Sequence, residues 1–115
     1  MTNNIIQKTL TLTEYDFFVK HLSIVNVFLP VHLTPKEIEV LAMFMSLTGD
    51  IAEDRFGTSA RKIVMTKLNL SAGGLGNYLK SLKTKGFIQN NEIIPILHPK
   101  SDEQPYMFKL IKKDE

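Results

Sequence analysis

The sequence predicts a mainly α-helical domain that ends in a small β-hairpin. Two signals for helix starts, at Thr13 and at Thr34, are each followed by apolar residues at helical spacing. Leu75, Leu79 and Leu82 fall on one stripe at 100° per residue. The C-terminal quarter instead contains β-branched and apolar runs, which favour strands. The predicted order is an N-terminal arm, an extra helix, three further helices and a hairpin.

The N-terminal part is expected to hold the arm and the extra helix. Residues 4–12 are rich in β-branched residues and partly alternate, which suggests an extended arm or strand. Thr13 then caps a helix whose first turn carries two acids, and Pro30 ends it. We assign residues 1–33 to this arm and helix, and residues 34–115 to the main domain.

The next helix start is stronger. Threonine at the cap, proline at the first helical position and Glu37 at the third predict a capping box at Thr34. Gly49 is expected to close this helix. A connector over residues 48–57 then leads to a further helix, for which Thr58 is the expected cap.

Three glycines lie near the start of the last predicted helix, which should run from a Ser71 cap to Lys85. Interior glycine costs about 0.8–1 kcal/mol relative to alanine, so the cluster needs a reason. Either the backbone approaches phosphates or a partner protein closely, or the helix starts late, near Leu75, after a loose turn. The three are Gly73, Gly74 and Gly76.

Beyond Gly86, which is expected to end the helix with positive φ, two strands are predicted. They span Phe87 to Leu97 and Tyr106 to Lys112. A polar loop with a proline at each end joins them, and it contains two acids as well as one lysine.

The composition is that of an ordinary globular protein, with 43% hydrophobic and 23% charged residues. A chain of 115 residues suits one domain with a single core. No apolar run approaches the roughly 18 residues of a spanning helix, and the N-terminus lacks the layout of a secretion signal. No cysteine is present. We therefore expect a cytoplasmic protein without a membrane partner.

The net charge of +2 hides an uneven distribution. Residues 55–91 carry seven basic residues and no acidic one, whereas residues 1–54 sum to −4 and residues 92–115 to −1. A concentrated positive segment is typical of a face that binds a polyanion. A solvated helix face is the other explanation for such a run.

No catalytic or metal site is predicted. His21, His32 and His98 are far apart in sequence and lack the paired spacing of metal ligands, so we expect isolated histidines on the polar rim. No nucleophile has a base in plausible partnership. These patterns predict a binding protein without a cofactor rather than an enzyme.

The most informative stretch runs from Leu70 to Ile88. It contains a leucine–serine turn, three leucines in helical register and a glycine followed by Phe-Ile. This pattern resembles the winged helix-turn-helix superfamily, especially MarR-type regulators and the related plasmid and phage replication initiators. The resemblance covers residues 34–112 in layout and 70–88 in motif. It implies that the last helix lies in a DNA groove and that the hairpin is a wing.

The sequence departs from this family at two places. Glycines occupy the early helix positions where family members present base-reading side chains, and the predicted wing loop carries Asp102 and Glu103 beside Lys100. We therefore expect weak sequence readout and mainly phosphate contacts, with Asn77 as the main base-reading candidate. The loop is expected either to sit away from DNA or to face a protein.

Together the basic segment and the resemblance predict a protein that binds duplex DNA, as a transcription regulator or replication accessory factor. The alternative is a non-catalytic protein-interaction or structural module with the same fold, and RNA binding is a third possibility. The candidate DNA-binding residues are Arg61, Lys62, Ser71, Gly73, Gly74, Asn77, Tyr78, Lys80, Ser81, Lys83 and Lys85.

Self-association is expected to involve residues 4–29, because this segment carries apolar residues on more than one side of its helix. A homodimer would place two DNA-binding helices about 34 Å apart, one turn of a duplex. In the alternative, the arm pairs with the hairpin and the helix completes the core of a monomer.

Overall fold

The computed structural model describes residues 7–114. This part of the chain is mainly helical, with one two-stranded antiparallel sheet, which confirms that much of the predicted fold class. Its helices and strands are α1 (Glu14–Asn26), α2 (Pro35–Met45), α3 (Asp50–Glu53), α4 (Thr58–Leu68), α5 (Ala72–Thr84), β1 (Ile88–Gln89) and β2 (Glu92–Ile93), followed by a 3-10 turn (Pro95–Leu97). Within residues 7–114, no helix is both long and apolar enough to cross a membrane.

The first two helix starts are confirmed by their hydrogen bonds. The Thr13 hydroxyl accepts the Asp16 N–H at 3.3 Å at the start of α1. At α2 the Thr34 hydroxyl accepts the Glu37 N–H at 3.2 Å, while a Glu37 carboxylate oxygen accepts the Thr34 N–H at 2.8 Å. This reciprocal capping box satisfies two amides that the helix itself leaves without partners.

The helix α2 ends at Met45 rather than near Gly49. Two side chains donate hydrogen bonds to its last carbonyls. Arg55 Nη1 donates to the Phe44 carbonyl at 2.7 Å, and the Ser46 hydroxyl donates to the Met43 carbonyl at 2.7 Å. The earlier end is therefore stabilised by a residue from the following connector.

The core lies between α1, α2, α4 and α5. The helix α2 is central, because it packs against α1, α4 and α5. The largest apolar side chains with less than 2% exposure are Phe44, Leu22, Leu41, Leu75, Leu82, Leu97, Val40 and Val64. Phe56 anchors the connector to the core, with its ring centroid 4.8 Å from that of Phe44.

Two predictions near the helices are wrong. Residues 7–12 form no strand, and the sheet in the described residues consists only of the hairpin. Residues 4–6 of the predicted arm lie outside the described residues. Thr58 is not a cap but the first residue of α4. Gly57 is the cap, and its carbonyl accepts the Arg61 N–H at 2.9 Å.

The β-hairpin is much shorter than predicted and lies wholly inside the first predicted strand. Asn90 and Asn91 both adopt positive φ, 53° and 61°, so the chain turns back after two residues and Ile88 pairs with Ile93. Paired positive φ values are the conformation of a type I′ turn, which asparagine tolerates better than most residues. The predicted second strand, residues 106–112, has no ladder partner among the described residues.

This C-terminal segment instead returns to α1. The ring of Phe108 stacks on Phe28 at 5.5 Å, and the Tyr106 hydroxyl donates to His21 Nδ1 at 2.5 Å. His21 Nε2 must carry the proton, because its partner at 3.0 Å is the Leu97 carbonyl, which can only accept. His21 is 4% exposed rather than on a polar rim, and burial lowers the pKa of its imidazole despite the bond to Leu97.

Candidate nucleic-acid interface

A three-residue turn, Asn69 to Ser71, joins α4 to α5. Asn69 takes a left-handed conformation with φ 54°, and the Leu70 N–H donates to the Met65 carbonyl at 2.9 Å. This six-to-one hydrogen bond closes the C-terminus of α4. The Ser71 hydroxyl then accepts the Gly74 N–H at 3.0 Å and caps α5, as predicted. The turn therefore sets the direction of α5 with local bonds at both ends.

The glycines at the start of α5 are helical. The helix begins at Ala72, so the interpretation of a late start near Leu75 is wrong. A Cβ atom built on Gly73 or on Gly76 would have no heavy atom within 4 Å, whereas one on Gly74 would lie 3.1 Å from the Ser71 hydroxyl oxygen. Packing among the described residues therefore gives no reason for glycine at positions 73 and 76.

The phase of α5 agrees with the predicted stripe. Leu75, Leu79 and Leu82 are buried, with 1%, 6% and 0% exposure. The side opposite this stripe is exposed, and at 100° per residue its centre lies near Asn77 and Thr84. This outer face consists of Gly73, Gly76, Asn77, Lys80 and Thr84. Because Gly73 and Gly76 carry no side chain, the backbone of α5 is directly accessible at the N-terminal end of the outer face.

The end of α5 is fixed to α2 through a buried carboxylate. Glu37 is 2% exposed and accepts from the Ser81 hydroxyl at 2.6 Å and from Lys85 Nζ at 2.6 Å. Burial raises the pKa of the Glu37 carboxyl, but the hydrogen bonds from Lys85, Ser81 and the Thr34 amide outweigh it, so the pKa lies below its ordinary value. The carboxylate therefore stays ionised and holds α5 against the start of α2.

Five of the seven basic residues in the acid-free segment remain exposed. They are Arg61, Lys62 and Lys67 on α4, and Lys80 and Lys83 on α5. The other two have structural partners, because Arg55 binds the end of α2 and Lys85 binds Glu37. We call the five exposed residues the basic cluster. It lies on two helices that pack against each other.

The predicted site residues fall into two groups. Arg61, Lys62, Ser71, Gly73, Asn77, Lys80 and Lys83 are exposed. The half-buried ones are Gly74, Tyr78, Ser81 and Lys85. Tyr78 packs against the core, while Ser81 and Lys85 have their polar atoms on Glu37, so these three do not belong to the outer face.

The prediction omitted two exposed residues and one anchor. Lys67 belongs to the acid-free basic segment and Gly76 to the group of three glycines, so the sequence contained a signal for both residues. The anchoring role of Glu37 had no local signal. Its partners are 44 and 48 residues further along the chain, and the sequence pattern indicated only a capping box.

The predicted wing loop lies against α1 and the end of α2. Pro99, Ser101 and Asp102 line a cavity of about 260 Å³ together with Phe18, Met45, Arg55 and His98. The short turn at Asn90 and Asn91, not this acidic loop, therefore forms the tip of the hairpin that follows α5.

No protein-family model matches this chain, and comparisons with curated proteins and with solved structures find no significant match. Among residues 7–114, no group of three His, Asp or Glu side chains is arranged to hold a metal ion. The functional proposal therefore rests on the exposed residues of α4 and α5.

Proposed function

We propose that this chain is a non-enzymatic winged-helix protein that binds duplex DNA, as a transcription regulator or replication accessory factor. The observation that carries the proposal is the basic cluster, Arg61, Lys62, Lys67, Lys80 and Lys83. Five exposed cations lie on two packed helices within a segment that contains no acid. Such a cluster supplies the sequence-independent attraction to phosphates that underlies most DNA binding.

The arrangement of α4 and α5 supports the same proposal. Two helices joined by a turn of three or four residues are typical of DNA-binding helix-turn-helix units, in which the second helix enters the major groove. Here α5 is that helix, and β1 and β2 follow it in the position of a wing. Gly86, with φ 85°, lets the Phe87 N–H reach the Leu82 carbonyl at 2.9 Å before the chain enters β1.

Base reading is expected to be limited. On the outer face of α5, Asn77 is the side chain suited to pair with adenine, and one good bidentate contact gives only about 1–3 kcal/mol of discrimination. Lys80, on the same face, is a residue type that bonds to phosphates and to guanine. Binding should therefore depend mainly on charge and only weakly on sequence.

We expect affinity for a random duplex to fall steeply with salt. If about four of the five clustered cations each neutralise one phosphate, the plot of log K against log salt should have a slope near −3.6. Lys80→Ala should reduce the steepness by about 0.9, since it removes one phosphate contact. Fluorescence anisotropy with a labelled duplex, between roughly 50 and 200 mM salt, measures both values.

Lys36→Ala is the matched control, because Lys36 also lies on a helix, with its side chain 39% exposed, but pairs with Glu39 outside the basic cluster. It should leave the slope unchanged. No binding to any duplex at low salt would refute the DNA proposal, and equal effects of Lys36→Ala and Lys80→Ala would refute the assigned surface.

A protein-interaction module is the second candidate function. The open positions at Gly73 and Gly76 favour it, because a helix without side chains at its surface lets another backbone approach closely. The same property would let α5 approach a DNA backbone. Substituting these glycines separates the two functions.

The double substitution Gly73→Ala and Gly76→Ala should raise stability and lower DNA affinity. Each alanine adds about 0.8–1 kcal/mol of helix propensity at a position with free space. The new methyl groups would hold the DNA backbone away from α5. Denaturant unfolding and anisotropy measure the two effects. Raised stability with unchanged DNA affinity and an unchanged salt slope would contradict close approach of DNA and favour the protein-interaction function.

A further inference from the structure

The extended segment over residues 105–111 exposes apolar side chains on both of its sides. Met107 and Leu110 are 91% and 97% exposed, and Phe108 and Ile111 are 59% and 79% exposed. Phe108 stacks on Phe28, two residues beyond the end of α1, and Phe28 is itself 66% exposed. Together they line part of an open groove of about 480 Å³ between α1 and this segment. Contiguous apolar surface of this kind usually marks an interface.

The backbone of the segment is also available for pairing. From Tyr106 to Asp114, no backbone amide or carbonyl is hydrogen-bonded to another of the residues 7–114. An extended chain with such an open edge is a template for another strand. Adding a strand satisfies these groups through main-chain bonds, while the alternating side chains provide the apolar contacts.

The charges around the segment identify the second strand. Asp102 and Glu103 precede the apolar stretch, whereas Lys112 and Lys113 follow it and Lys109 lies within it, with Lys100 and Asp114 beyond these charges. In an antiparallel pair of identical segments, the acidic end of each copy meets the basic end of the other. The segment is therefore complementary to itself, as an isologous two-fold interface requires.

We propose that residues 105–109 pair antiparallel with the same residues of a second copy and form a homodimer. The two-fold axis passes through Met107, which lies opposite its own copy, because a two-fold axis normal to an antiparallel pair always passes through such a position. This register places Lys109 opposite Pro105 rather than opposite a second Lys109. This assignment does not depend on DNA binding. It moves self-association from the predicted segment 4–29 to the C-terminal segment, with Phe28, just beyond the end of α1, beside it.

Analytical ultracentrifugation of the full chain should show a dimer at micromolar concentration. Asp102→Lys should weaken dimerisation on the order of tenfold, because Asp102 lies opposite Lys112 of the second copy and the change makes two symmetry-related attractive pairs repulsive. Adding Lys112→Glu to that variant should restore it. Both positions are exposed, so the monomer fold should remain intact by circular dichroism.

Single cysteines test the register, since the chain contains no other cysteine. Met107→Cys places two thiols directly opposite each other at the axis, where the Cα separation of about 4.5–5.5 Å lies within the range of about 4.4–6.8 Å that a disulfide needs. Lys113→Cys is the matched control, because its copies would be roughly 40 Å apart along extended strands. Oxidation should therefore cross-link only the first variant.

Four results would overturn the proposal. The first is a chain that stays monomeric throughout the micromolar range in ultracentrifugation. The second is a dimer insensitive to Asp102→Lys, which would lie on another surface. The third is a dimer that Asp102→Lys weakens and Lys112→Glu fails to restore, and the fourth is equal cross-linking of the two cysteine variants; both would exclude this pairing.

Discussion

Replacing Lys85 by methionine should destabilise the protein by about 2–3 kcal/mol, less than the roughly 3–5 kcal/mol for a fully buried ion pair, because the Lys85 side chain is 24% exposed. Its partner Glu37 is 2% exposed, and the two charged atoms are 2.6 Å apart. Methionine retains most of the side-chain volume but leaves the carboxylate buried without a counter-ion. The Ser81 hydroxyl and the Thr34 amide cannot replace the lost charge.

Chemical denaturation of three variants measures this effect. Lys83→Met is the matched control, since Lys83 is exposed two residues earlier, and it should change stability by no more than about 0.5 kcal/mol. Adding Glu37→Gln to Lys85→Met should recover most of the loss, because it removes the uncompensated charge. Equal stabilities of Lys83→Met and Lys85→Met would contradict the anchoring role and return Lys85 to the DNA-binding surface.

Leu82→Ala should cost about 2–5 kcal/mol, the range for truncating a buried leucine. Leu82 is 0% exposed and occupies the inward stripe of α5 together with Leu75 and Leu79. The truncation leaves a cavity where α5 meets the core and weakens the packing that holds the helix in place. DNA affinity should fall through the loss of folded protein, not through the loss of a contact.

Leu10→Ala is the control for this substitution, because Leu10 is 57% exposed. It removes the same atoms and should change stability by no more than about 0.5 kcal/mol. Thermal unfolding of both variants compares them. Wild-type stability of Leu82→Ala would mean that α5 is phased differently from the observed burial.

The elements that depend on near neighbours were predictable from the sequence. The caps at Thr13, Thr34 and Ser71 form as expected, since each bond joins residues three positions apart. The leucine stripe of α5 and the positive φ of Gly86 follow from helical periodicity and from glycine's backbone freedom. Charge counting also located the acid-free segment.

Local rules failed where two conformations were locally acceptable. The run from Phe87 to Leu97 suits one long strand, but Asn90 and Asn91 adopt positive φ and turn it back after two residues. Residues 106–112 suit a strand equally well, yet the hairpin leaves them without a partner in the described sheet. A strand needs a neighbouring strand to pair with, and the residues of a segment do not by themselves specify whether such a neighbour is present.

The sequence by itself determined where the helices start, which face of α5 is apolar and where positive charge is concentrated. Only the tertiary structure decided which cations remain exposed. Lys80 and Lys85 look alike in the sequence, but packing of α2 against α5 places Lys85 on a carboxylate 48 residues away. Caps and periodicity act within about four residues, whereas partnerships of side chains depend on which helix faces meet in space.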